Sequence, residues 1–335
     1  MRGSYISYGC LAFLIIFNLK NPPGFSQIRQ EKEEESPRTT KIMRNASLHR
    51  FNSSAGVFFG YDSNVRLSPE SKGDIFEELL YSLRFMQRWK NNLHLSLEHD
   101  FNYRSYNEVT AASNILNHLN FGIHKKLPWI NIGTGWSGGT FYYPENEEGD
   151  FFFSRPYLYL KSYLTEKLYY QLLFEYFYKR HTNRKALADT ISTFQDKKRI
   201  DRRQGIEYSL GYALNSRLSL GFETRYSINN SNARYIDFYD YKTYEFSPRI
   251  NYRLSKDLEL ISSVGYKKKD YKSRVVTLSS YKQKDEIYTV DIGIRYRLDK
   301  KSHLSLFYTH QNNSTSDSLE KYTENMFRCG WQYNF

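Results

Sequence analysis

Tyr288-Thr289-Val290-Asp291-Ile292-Gly293-Ile294-Arg295-Tyr296-Arg297-Leu298 alternates without a break. Tyr288, Val290, Ile292, Ile294, Tyr296 and Leu298 share one face; Thr289, Asp291, Gly293, Arg295 and Arg297 share the other. A side-chain period of two is the period of a β-strand. At about 3.3 Å per residue this run reaches about 35 Å, roughly twice an ordinary globular strand. So long a strand with one unbroken apolar face has the pattern of a segment crossing an outer membrane, lipid on one side and polar groups on the other.

The same texture recurs along the chain. Leu93, Leu95, Leu97, Phe101 and Tyr103 oppose His94, Ser96, Glu98, Asp100, Asn102 and Arg104, and Phe222, Thr224, Tyr226 and Ile228 oppose Glu223, Arg225 and Ser227. Alternation predicts strands near 54–62, 75–89, 91–106, 113–126, 128–139, 151–165, 167–181, 201–215, 217–230, 241–255, 257–271, 285–299, 301–313 and 321–335. The breaks between them alternate between tight connections and long ones, the longest at 182–200. Outer-membrane barrels have short periplasmic turns and long outer loops, and a sandwich or propeller has no reason to sort its loops this way. The expected fold is therefore all-β: a transmembrane antiparallel β-barrel of about 14 strands over residues 54–335, with both termini periplasmic.

Composition agrees. Aromatic residues reach 17%, with Tyr 31 and Phe 23, yet mean hydropathy is -0.70. A disordered chain would be poor in rings, and no later stretch approaches the roughly 20 apolar residues of a membrane helix. At the N-terminus, Arg2, the apolar run 10–17 and the small residues of Gly24-Phe25-Ser26 read as a signal peptide over 1–26. Residues 27–50 are charged and nearly free of aromatics, as expected of a flexible periplasmic lead-in. Removing 1–26 leaves Cys329 as the lone thiol. The net charge of +12 is interleaved along the chain, and with export expected it does not point to nucleic acid.

On the last strand Phe327, Cys329, Trp331, Tyr333 and Phe335 share a face. The alternating aromatic strand ending in Phe, with Trp331, Tyr333 and Phe335 in phase, resembles the signal read by the outer-membrane assembly machinery, which is the partner this implies. The wider pattern resembles Gram-negative outer-membrane β-barrels. Gly60-Tyr61-Asp62-Ser63-Asn64-Val65 resembles the opening of the barrel of the surface-lipoprotein assembly modifiers and of related outer-membrane barrels linked to exopolysaccharide systems. That likeness implies a role in assembly or export, with residues 27–50 available to a periplasmic partner. The motif also has a local reading: Asp62, Ser63 and Asn64 can end the first strand in an Asx-type turn.

Phase gives the lumen candidates. Basic positions are Arg84, Arg88, Arg104, Lys161, Lys179, Arg225, Arg249, Arg253, Lys267, Arg295 and Arg297; acidic ones are Glu98, Asp100, Glu175, Glu207, Glu223, Glu245, Glu259 and Asp291. None can face lipid, where each would cost about 2–4 kcal/mol near the midplane. Inside, they can line a watery channel with a basic surplus that favours anions, or pair across the wall and stiffen it. Arg253 and Arg297 fall near tight turns and are expected to form a basic patch at the periplasmic mouth, beside Glu259.

Channel, export barrel and outer-membrane lipid hydrolase thus stay open, the channel leading. A hydrolase needs its nucleophile on the outer wall, and the one outward histidine at mid-strand, His99, has no serine partner that sequence fixes. There is no glycine-rich phosphate loop, no His-Glu-x-x-His and no spaced Cys ligands, so no cofactor or metal is expected. Trp89, Trp129, Trp136, Tyr142, Tyr143, Tyr239, Tyr266 and Tyr271 read as an interfacial girdle. Basic residues at the loop bases, among them Arg184, Lys185 and 197–199, are placed to meet lipopolysaccharide phosphates.

Overall fold

The computed structural model describes residues 48–89, 91–276 and 280–335. The expected signal peptide and nearly all of the lead-in lie outside them. Fourteen strands close into one antiparallel barrel: β1 Leu48–Asp62, β2 Asp74–Arg88, β3 Leu93–Tyr106, β4 Asn114–Lys126, β5 Ile130–Tyr142, β6 Phe151–Tyr163 and β7 Leu168–Leu187. They continue with β8 Phe194–Ala213, β9 Leu218–Ser231, β10 Tyr241–Arg253, β11 Leu258–Val275, β12 Lys282–Arg297, β13 Ser302–Thr315 and β14 Tyr322–Asn334. Each pairs with its sequence neighbours, and β1 meets β14 in a register running from Ser54 opposite Asn334 to Asp62 opposite Met326. Closure leaves no sheet edge, so every backbone donor and acceptor can be satisfied without water.

The connections fall into two sets. Those after β2 and at 127–129, 164–167, 214–217, 254–257 and 298–301 lie at the rim that carries Leu48 and Phe335, hereafter the turn end. Those at 63–73, 107–113, 143–150, 188–193, 232–240 and 316–321, and the one after β11, lie at the opposite rim, the loop end. At the turn between β2 and β3, Asn92 takes a left-handed φ of 59°, which asparagine tolerates better than most residues.

Two expectations need correcting. β1 begins at Leu48, so the final residues of the predicted lead-in belong to the barrel. The predicted long loop at 182–200 is mostly strand, since β7 and β8 run 20 residues each and leave only 188–193 as a turn. Beyond the lipid a strand needs backbone pairing but no apolar face, so the alternation that marks membrane strands is absent there. The extension also breaks register, Arg180 opposing Ile200 but Lys185 opposing Lys198.

Apolar side chains cover the outside: Phe174, Ile250, Val264, Leu306 and Phe327 are all exposed. The rings predicted as one girdle divide. Trp89, Trp129 and Tyr142 are exposed, but Tyr143 and Tyr271 are buried, and Tyr239 lies beneath the Arg199 guanidinium at 3.5 Å.

Candidate functional site

Inward positions decide how much of the barrel is solid. On β4–β9 large side chains fill the lumen, several of them lying over inward glycines such as Gly133, Gly135 and Gly211. Leu116, Phe141, Tyr143, Phe151, Phe153 and Phe177 form one buried cluster, with Phe141 and Phe151 stacked at 5.3 Å. Lys179 Nζ sits 3.8 Å over the Phe151 ring, and the Arg203 guanidinium lies 4.7 Å over Phe177. Such cation–π contacts retain part of the attraction a buried cation loses with its water. Glycine makes room for rings to lie against the wall: a Cβ at Gly211 would stand 2.2 Å from Tyr169. Ion pairs occupy the remaining space. Glu207 accepts from Arg225 Nε at 3.1 Å, and Glu175 lies 3.5 Å from Arg155 and 3.9 Å from Arg203; at the border with the other half, Glu245 of β10 meets Lys267 of β11 at 3.3 Å.

On β10–β14 and β1–β3 the inward positions include Ser54, Gly56, Ser82, Ser263, Gly293 and Ser305, and there the lumen is hollow. A cavity of about 710 Å³ runs along this wall, from Asn52, His303 and Gln332 near the turn end to Asp62, Val65 and Tyr106 near the loop end. Its charges are largely matched. The fully buried Glu78 carboxylate accepts from Arg104 at 2.8 Å, Arg328 at 2.7 Å and Asn102 at 2.9 Å. Arg84 pairs with Glu98, while Asp291 accepts from Ser263 at 2.9 Å and Thr309 at 2.8 Å. Arg249 has no ion-pair partner within 4.0 Å among the described residues, so its charge faces the cavity.

The loop end of this hollow is shaped by a folded loop. Val65 packs with Phe76, Tyr106, Val109 and Ala112, and Met326 lies against them. Asn64, fully buried, donates to Ser68 O at 2.8 Å and Thr323 O at 3.1 Å and accepts from Ser68 N. Asp62 accepts from Asn64 N at 2.9 Å, the Asx-type turn expected from the motif, and from Tyr106 OH at 3.1 Å. Leu67, at φ 48°, holds a conformation unusual for leucine; its N–H donates to Asn64 O at 2.9 Å. Asp74 fixes the next loop by accepting from Glu108 N and Val109 N, both at 2.7 Å. The Gly60–Val65 motif thus fixes the 63–73 loop, which lines the loop end of the hollow through Val65 and Leu67.

A smaller pocket, about 250 Å³, opens at the turn end. Arg253, Lys256, Arg295, Arg297, Lys300 and Lys301 line it with Asp257, Glu259 and Asp299. Arg297 is held by Asp257 through two bonds of 2.9 and 3.1 Å and by Lys256 O at 2.6 Å; Arg295 lies 3.5 Å from Glu259. Arg253 has no ion-pair partner within 4.0 Å among the described residues. In the 298–301 turn, the Asp299 carboxyl is held below its usual range by the backbone N–H of Lys301 and the hydroxyl and N–H of Ser302.

The sequence-derived residues therefore separate into three places. Arg84, Arg104, Glu98, Asp100, Arg249, Asp291 and Arg295 line the large cavity; Arg253, Glu259, Arg295 and Arg297 line the turn-end pocket; Glu223 and Arg225 line neither. Trp331, Tyr333 and Phe335 form a ladder of rings at 5.9 and 5.1 Å along β14. Glu78 and Arg328 were missed. Both are in phase with inward neighbours, Arg84 and Gly330, but the Glu77-Glu78 doublet hides the alternation. Asp257 was missed because a turn residue has no phase to read.

Sequence also missed a hydrogen-bonded row across β3, β4 and β5. His118 Nδ1 lies 3.2 Å from Asp100 and its Nε2 lies 2.8 Å from Ser137 Oγ, the connectivity of an acyl-transfer triad. Ser137 is only 1% exposed, and Phe153 stacks on the His118 ring at 5.9 Å. The backbone around Ser137 is paired on both sides, to Asn120 and to Arg155, which leaves no obvious donor for an oxyanion. The row reads as part of the packed wall. On the outer face His99 meets Asn117 at 2.6 Å.

Residues 185–335 match the model of the outer membrane protein beta-barrel domain family. No curated protein matches in sequence. Among solved structures, the in-vitro folded OmpT of Vibrio cholerae is similar at TM-score 0.53 and 10% identity, covering 87% of this chain and 98% of that one. The outer membrane channel DcaP of Acinetobacter baumannii gives TM-score 0.53 and 10% identity, with 87% and 98% covered. An anion-selective porin from Comamonas acidovorans gives TM-score 0.51 and 9% identity, with 87% and 100% covered. The architecture is that of an outer-membrane barrel, which supports an outer-membrane location. The narrower likeness to surface-lipoprotein assembly modifiers rests on the six motif residues alone.

Proposed function

We propose that this barrel is a porin-like channel for small polar solutes, with the hollow side of the lumen as its path and the turn end facing the periplasm. The supporting observation is the 710 Å³ cavity, lined by serine, glycine and charged side chains among rings such as Phe58 and Phe307, beside a half that holds a packed aromatic cluster. The anion preference has a different source from the one the raw count of lumen charges suggests. Along the cavity, Arg84, Arg104, Arg249, Arg295 and Arg328 are set against Asp62, Glu78, Glu98, Asp100, Asp291 and Glu324, a near balance. The surplus lies at the turn-end pocket, six cations to three carboxylates, so the mouth favours anions more than the middle does. An export role draws less support, because the motif that suggests it has a local role in fixing the 63–73 loop.

Planar-bilayer recording of the purified barrel is the test. Small stepwise conductances with reversal potentials displaced toward anions are expected; an electrically silent barrel removes the proposal.

A further inference from the structure

The outer wall differs around its circumference at the loop end. On β7, β10 and β11 an outward tyrosine is followed, two residues nearer the loops, by a cation on the same face: Tyr178 and Arg180, Tyr244 and Lys242, Tyr266 and Lys268. β8 adds Lys198 and Arg202, the latter opposite Tyr178, and β12 adds Lys284 opposite Asp270. The tyrosines below pack together, Tyr226 on Tyr244 at 5.0 Å and Tyr266 on Tyr288 at 5.1 Å. Among the described residues, the outward positions at this end of β13, β14 and β1–β6 carry no Lys or Arg; Asn312, Thr323, Ile75, Ser105, Ile115 and Phe152 stand there instead.

Height places the cations. On β10 the outward residues from Tyr252 to Tyr244 are Tyr, Ile, Pro, Phe and Tyr. Eight steps of about 3.3 Å, tilted about 40°, span about 20 Å, most of the roughly 25 Å apolar band of such barrels. The paired tyrosines then sit at the interface, and the cations stand just beyond it, at headgroup depth. Asp270 and Glu286 share this arc, so the six cations keep a positive remainder; Lys268 reaches Asp270 only at 4.0 Å.

We propose that this arc on β7, β8 and β10–β12 binds the phosphates of an outer-leaflet phosphorylated glycolipid such as lipopolysaccharide. The opposite wall offers no such contact, so the lipid binds one side of the barrel. The proposal takes from the channel reading only the orientation of the barrel. It does not require conduction.

The test uses the full chain folded in phosphatidylcholine vesicles containing bisphosphorylated lipid A, its dephosphorylated form, or phosphatidylglycerol. Each cation near an anionic lipid surface contributes about fivefold in affinity. The triple variant R202Q/K242Q/K268Q should therefore retain bisphosphorylated lipid A at least about tenfold more weakly, whereas K125Q/R217Q, at the turn end, should match wild type. The charge-preserving R202K/K242R/K268R should also match wild type, and all variants should keep heat-modifiable barrel mobility. Retention by the triple variant equal to wild type would overturn the proposal. So would equal competition by phosphatidylglycerol at the same phosphate concentration, which would make the arc a general anionic-lipid contact.

Discussion

The two sides of this barrel share one strand grammar and have opposite interiors. On β4–β9 the inward side chains include Phe141, Phe151, Phe153, Phe177, Tyr169 and their paired cations, and the rings pack from strand to strand along the wall. On β10–β14 and β1–β3, Ser54, Gly56, Ser263, Gly293 and Ser305 leave a cavity, into which the longer charged residues project beside rings such as Phe58 and Phe307. Alternation sets which residues point inward; their volume then decides whether a wall becomes a core or a conduit. A barrel of this size need not be uniformly open or filled.

The comparison breaks first, if it is wrong, on stability. Phe151 stacks on Phe141, adjoins Phe153 and supports Lys179, so Phe151→Ala removes a large ring from a packed cluster. A loss of about 3–5 kcal/mol is expected, by analogy with large-to-small changes in soluble cores. Ser263→Leu adds volume to the hollow side and should change stability by less than about 1 kcal/mol, the half-buried hydroxyl contact with Asp291 being its main loss. Urea unfolding from lipid vesicles measures both; equal losses would show that the hollow side is packed too.

Chemical access is the second test. In a Cys329→Ser background, Ser263→Cys should react with a small water-soluble thiol reagent, whereas Ser227→Cys, at a position 1% exposed in the filled half, should react roughly a hundredfold more slowly. A buried thiol must wait for local opening, which costs a few kcal/mol in packed regions. Comparable rates would mean that the aromatic half admits water.

How much of this was legible in the sequence depends on which residues carry the information. Strand positions such as Leu93–Arg104 and Tyr288–Leu298 declare their face because lipid demands apolar residues at every second position. The fold therefore followed closely from alternation and loop lengths. The 182–200 segment did not, because beyond the lipid nothing selects for alternation. Inward phase placed Arg249 and Asp291, but phase holds no record of which charge meets which. Nor does it foretell that Arg104 and Arg328, far apart in sequence, share Glu78. That contact arises only from closing β14 onto β1, bringing β2 and β14 to either side of one strand. The split between halves was not readable from inward residue size alone: β5 presents Gly133, Gly135, Ser137 and Gly139 inward, and the rings of neighbouring strands, Tyr157 and Tyr159, fill the space over the first two.

The smallest expected effect concerns Arg253 and Arg297, which phase alone treats as equivalent. Both line the turn-end pocket, but Asp257 and Lys256 O hold the Arg297 guanidinium, whereas Arg253 has no ion-pair partner among the described residues. A cation neutralised by a carboxylate at 2.9 Å contributes little field to the mouth, and an unpaired one contributes most of its charge. Arg253→Gln should therefore lower the anion-to-cation permeability ratio, by less than about twofold because five other cations remain. Arg297→Gln removes a cation but frees Asp257, so the change in net charge is the same while the local effect differs. The carboxylate is unmasked beside Arg253 and can draw its charge inward. If that happens, Arg297→Gln lowers selectivity at least as much as Arg253→Gln, whereas Asp257→Asn raises it by releasing Arg297. Reversal potentials at 0.05 M salt, where the Debye length is about 14 Å, provide the comparison. Equal selectivity in all three variants would place the conducting path away from this pocket and leave Arg253 and Arg297 as wall residues alone.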